Sequence, residues 1–142
     1  MPGSPLTIPN NEFGPWPAYI ATFKAGGAIA FGDVVMSTDS IAVTAATTGT
    51  QALKGVAMRD ARLTSYVLDN VVPVLLFGTA VVITDAAVTV GAVVEASSVV
   101  AAGRVRSYVE GADVNKVSIE KVIGRALTAG GAAAKALVAV GW

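Results

Sequence analysis

At 142 residues the chain is one domain long, enough to bury about 70% of its unfolded surface around a single core. Ten basic and ten acidic residues give a formal net charge of zero, charged residues make up only 14%, and neither cysteine nor histidine occurs. This composition excludes disulfide frameworks, thiol and histidine catalysis and the common zinc sites, and it lacks the clustered basic footprint of direct nucleic-acid binding.

Residues 1–17 hold five of the six prolines and read as an extended arm, because each proline fixes φ and removes a donor. Leu6, Ile8, Phe13 and Trp16 punctuate the arm, and Tyr19 follows at its junction with the domain spanning 18–142. These five side chains are the expected contacts to a partner or a neighbouring subunit, since an extended arm gains free energy only by laying apolar groups on something. Met1-Pro2-Gly3-Ser4-Pro5 has neither the basic nor the apolar region of a secretory signal, so cytoplasmic synthesis is expected.

From Tyr19 onward short β-branched runs alternate with Gly, Asp, Ser and Thr, as expected of a compact β-barrel or β-sandwich with at most one or two short helices. Tyr19 to Lys24 alternates and precedes a Gly26-Gly27 turn. Val34–Ser37 and Ile41–Thr44 flank Thr38-Asp39-Ser40 as a hairpin, and Thr47 to Thr50 reads as a loop. Further strands are expected at Gly55–Met58, Ser65–Leu68, Val72–Phe77, Ala80–Ile83, Val93–Glu95, Arg104–Tyr108 and Lys135–Val140. Asp60 to Asn70 has room for a turn or two of helix, and Asp113 to Ile123 fits helix and strand equally. The longest strongly apolar run, Val71 to Thr84, is 14 residues and contains Pro73 and Gly78. A spanning helix needs about 20, so a buried strand pair is expected there and no membrane partner.

A three-part pattern occurs twice. Ala28–Val35, Lys54–Ala57 and Val74–Gly78 are answered by Ala87–Val94, Ile123–Ala126 and Leu137–Gly141, at offsets of 59, 69 and 63 residues. A glycine among β-branched residues, repeated with drifting loop lengths, reads as duplicated β-structure built as a scaffold.

Chemistry-bearing groups are sparse. Asp33, Asp39, Asp60, Asp69 and Asp85 all sit where turns are expected, and no enzyme activity is expected of them. Gly27 to Gly32 has the glycine spacing of a phosphate loop, but Asp33 follows where that loop needs lysine. Asp113-Val114-Asn115 carries a fragment of a calcium loop without its central glycine or closing glutamate. No cofactor, nucleotide or metal is expected.

Phe31-Gly32-Asp33-Val34-Val35, Lys54-Gly55-Val56-Ala57 and the run Leu76 to Val82 resemble the small capsid cement, or head-decoration, proteins of tailed bacteriophages. The resemblance continues through Val90–Val94 and Ile123–Leu127 and spans roughly Ala25 to Trp142. It implies a β-rich homotrimer on the outer surface of the expanded head, clamping neighbouring major capsid subunits against the pressure of packaged DNA. The alternative is a β-rich receptor- or glycan-binding accessory module on a virion or cell surface; its aromatic platform would have to come from Tyr66, Tyr108 or Trp142, each of which is expected in core or interface instead.

Overall fold

The computed structural model describes residues 18–47, 53–108 and 122–141. Nine strands lie in these segments: β1 Tyr19–Ala25, β2 Val34–Ser37, β3 Ala42–Ala45, β4 Leu53–Ala57, β5 Val71–Ile83, β6 Val93–Ser97, β7 Arg104–Ser107, β8 Val122–Ala126 and β9 Lys135–Val140. No helix occurs among the described residues.

The strands form two barrels in tandem that share β5. In the first, β1 pairs with β3 in parallel, β3 with β2, β2 with β4 and β4 with β5, all antiparallel, and β5 closes the ring onto β1. In the second, the far half of β5 pairs with β9, followed by β8, β6 and β7. That set returns to β5 through a parallel bridge between Thr84 and Val105, beside which the Asp85 N–H donates to Val105 O at 2.6 Å.

The repeat legible in the sequence is therefore a structural duplication. Gly32 and Gly91 have φ of 84° and 83°, and each donates its N–H at 2.8 Å, to Ala57 O and Ala126 O respectively. The β2–β4 ladder slips between Val35 and Met36, and the β6–β8 ladder slips at the equivalent step between Val94 and Glu95. The third part of the pattern is corrected by one residue. Gly55 lies against Leu75 O and Gly124 against Ala139 O, so the strands correspond at an offset of 64 and not 63. Hydrogen-bond register overrides the visual match of Gly78 to Gly141, because slipping by one would turn every side chain to the opposite face.

Other expectations also change. Val71 to Ile83 is one continuous strand rather than a strand pair, since its first half pairs with β1 and its second half with β9. Gly78, at φ 134°, lies between the two halves without reversing the chain. Ser65–Leu68 contributes only an isolated bridge, Tyr66 to Ile29. Asp60 to Asn70 forms turns instead of helix, because Asp60 accepts from the Arg62 N–H at 3.0 Å and Asn70 Oδ1 accepts from the Val67 N–H at 2.9 Å. Of Asp113 to Ile123 only Val122 and Ile123 are described, and they begin β8. The hairpin at Thr38–Ser40 and the final strand form as expected.

The barrel interiors differ in kind. Ile29, Val35, Val43, Val72 and Val74 fill the first, with Tyr66 fully buried at its end and Phe31 packed edge-on against it, centroids 5.3 Å apart. Val82, Val88, Val94, Val105 and Val138 fill the second, and Gly130 stands where Tyr66 stands. Valine and alanine suit a narrow barrel, where β-branched side chains pack on a pleated surface at low rotamer cost.

Candidate functional site

The described acidic side chains are engaged in local structure. Asp39 Oδ1 accepts from the N–H groups of Ile41 and Ala42 at 2.8 and 2.9 Å and fixes the β2–β3 turn. Asp60 is held at about 2, below the ordinary value of 3.8, chiefly by its hydrogen bond from the Arg62 side chain. Asp69 pairs with Lys24 at 3.2 Å. Asp33 Oδ2 accepts from the Ala30 N–H at 2.9 Å, so the glycine turn resembling a phosphate loop has its own carboxylate inside it. Burial pushes the Asp33 carboxyl up, opposed by that hydrogen bond and by Arg104.

Asp85 is the most heavily engaged of the group. Its nearly buried carboxylate accepts from the Ser97 hydroxyl, from the Val99 N–H at 2.9 Å and from the Val100 N–H at 3.2 Å. Burial raises its pKa, but these donors together with Arg104 more than offset that and leave it lowered. The bonds fix a turn that presents Val99 and Val100 outward. A second buried carboxylate, Glu95, meets Arg106 Nε across the β6–β7 ladder at 3.0 Å. No group of three or more metal-ligating side chains occurs among the described residues.

The described surface carries several apolar features. A groove of about 880 Å³ runs between the barrels, lined by Ile20, Phe31, Met58, Pro73, Val81 and Leu137 among others. Large apolar side chains also stand exposed at Ile41, Val67, Leu68 and Val71 on the first barrel and at Val90 and Leu127 on the second. Among the arm contacts expected from the sequence, Leu6, Ile8, Phe13 and Trp16 lie outside the described residues. Tyr19 opens β1, pairs with Phe77 and is 64% exposed. Tyr66 is core, as expected, which removes it as a platform for the alternative reading, and Trp142 lies outside the described residues. The exposed valines had no signal in the sequence, because in a chain so rich in Val an outward position looks like an inward one.

No protein-family model matches the sequence, and comparison with curated proteins gives no match. Solved structures match in fold. The N base of head fiber gp8.5 of bacteriophage phi29 superposes with a TM-score of 0.55 at 10% identity, over 87% of this chain and 94% of that one. A chain from the capsid of Myoviridae phage XM1 gives a TM-score of 0.64 at 19% identity, over 87% of this chain and 83% of that one. The tandem barrel described above is thus a fold shared with the base of one phage head fiber and with a chain of another phage's capsid.

Proposed function

We propose that this chain is a structural protein of a tailed-phage head, bound to the outer surface of the expanded shell, where it cements neighbouring major capsid subunits as a homotrimer. The observation that carries the reading is the fold shared over 87% of the chain with two phage head structures. The Phe31–Val35 and Ile123–Leu127 motifs lead to the same family by an independent route. The chemistry supports it too, since the carboxylates with perturbed titration are committed to turns and to the contact between barrels.

Cementing is within the reach of modest contacts. A micromolar site is worth about −8 kcal/mol, and three such sites on one rigid trimer raise avidity by orders of magnitude through effective concentration. The arm, with Leu6, Ile8, Phe13, Trp16 and Tyr19, supplies part of that contact to capsid or neighbour.

Co-sedimentation with expanded, undecorated heads of a candidate phage tests this, with solution mass measured by light scattering beforehand. A trimer that saturates the heads is the expected result. A chain that stays in the supernatant at micromolar concentration overturns the reading.

A further inference from the structure

The duplication supplies a template for how one copy meets the next. Inside the chain, a face of the first barrel is covered by the second. Gly32 abuts Val81 O, which a Cβ on Gly32 would meet at 3.0 Å, and the Val34 N–H donates to Gly103 O at 2.8 Å. The Gly103 N–H donates to Ala46 O at 2.9 Å, and a Cβ on Gly103 would fall 2.5 Å from Asp33 Cγ. Val34, Val56 and Leu75 on this face are fully buried in one cluster with Ala80, Val82 and Val94.

Among the described residues nothing covers the equivalent face of the second barrel. Gly91 keeps the backbone conformation of Gly32, yet no described atom lies within 4 Å of a Cβ built there. Arg125, at the position of Val56, is exposed, and Val93, at the position of Val34, is only half-buried. Beside them Val90 is 67% exposed, whereas its counterpart Phe31 lines the groove within the chain.

The complementary face, on the first barrel, is likewise uncovered among the described residues. Gly103 is buried, whereas its counterpart Ile41 is 62% exposed; Thr22 stands at the position of Val81, and Val71 stands nearby across Lys24. The sizes match in reverse. Within the chain Asp33 faces a glycine, while the open faces offer Ala92 in place of Asp33 and Ile41 in place of Gly103.

We infer that a second copy of this chain docks head to tail, its Thr22–Ile41 face against the Val90–Gly91–Ala92–Val93 face of the first, repeating between copies the contact that joins the barrels within each. Such an interface is heterologous, so it closes into a ring or runs on as a filament. Closure at three copies, a ring of six barrels, is the form that the cement reading requires; that number rests on the reading above, and the contact rests on the duplication.

Ile41→Asp breaks one face and Val90→Asp the other, both at exposed positions. Light scattering without capsids reads the outcome, with melting midpoints confirming the fold and Leu127→Asp, at the position of the groove residue Met58, replacing any Val90 variant that fails to fold. The wild type is expected as a trimer and each variant as a monomer. An equimolar mixture of the two variants is expected to give one 1:1 dimer and nothing larger, because only one intact pair of faces remains. A wild type of one or two chains, variants that keep the wild-type mass, or a mixture that stays monomeric overturns the inference. A trimer that ignores heads removes the cement reading alone, and a monomer that binds heads removes this contact and the homotrimer while leaving head binding in place.

Discussion

Asp69 and Ala133 occupy the same position of the duplicated unit: both are left-handed, with φ of 71° and 55°, and their N–H groups donate to Ala25 O and Thr84 O, each at 2.8 Å. An L residue in this conformation is disfavoured by about 1–2 kcal/mol, a penalty that Asp tolerates better than Ala. Ala133→Gly is therefore expected to raise stability by about 0.5–1 kcal/mol, seen as a higher thermal midpoint. Asp69→Gly gains less, because it also removes the exposed ion pair with Lys24.

Gly55 and Gly124 are required for a different reason. Neither has a positive φ, but a Cβ on Gly55 would fall 2.0 Å from Leu75 O and one on Gly124 would fall 1.8 Å from Ala139 O. The clash is with ladder backbone, which has no rotamer to change. Gly55→Ala and Gly124→Ala are each expected to cost about 3 kcal/mol or more. Urea titration of the soluble fraction checks this, and a variant with a wild-type midpoint would contradict it.

The Asp85 carboxyl is more acidic in the folded chain than its ordinary value of 3.8. The native state therefore binds this proton less readily than the unfolded chain. Its contribution is fully present above about pH 5 and is lost as pH falls through the folded value. Asp85→Asn, which sets an amide donor against the Ser97, Val99 and Val100 donors, is expected to cost about 2–3 kcal/mol at neutral pH. The difference from wild type should narrow below about pH 4. Asp33 runs the other way, since burial raises its pKa and folding then favours the protonated form.

Tyr66 donates its hydroxyl to Met58 O from within the first barrel. Tyr66→Phe keeps the ring and its contact with Phe31 but leaves that carbonyl without this donor, an expected loss of about 1–2 kcal/mol. Thermal unfolding at fixed pH measures it.

Removing residues 1–17 is expected to leave the melting midpoint in place and to lower either head occupancy or trimer cohesion. Unchanged occupancy together with unchanged solution mass would remove the arm from the mechanism.

Several local features were legible in the sequence because they depend on neighbours along the chain. Thr38-Asp39-Ser40 marks a hairpin whose aspartate caps its own turn. The repeated glycines at Gly32 and Gly91 mark turns that need positive φ, and the β-branched runs mark strands. Where long-range pairing decides, the sequence fell short. Val71 to Ile83 reads as two strands but is one, because its two halves bind different partners, β1 and β9, that are distant in the chain. Tyr66 reads as core or interface, but that it plugs the end of a barrel is decided by its bridge to Ile29, 37 residues away.

What the sequence by itself determined is a duplicated, valine-rich β-scaffold without histidine or cysteine chemistry, because composition and local periodicity carry that information directly. Only the tertiary structure decided that the two copies share β5, and that Gly32 is covered while no described residue covers Gly91. The physical reason is that burial belongs to the packing of one barrel on the next, and a valine or glycine has the same local signature on either side of that contact.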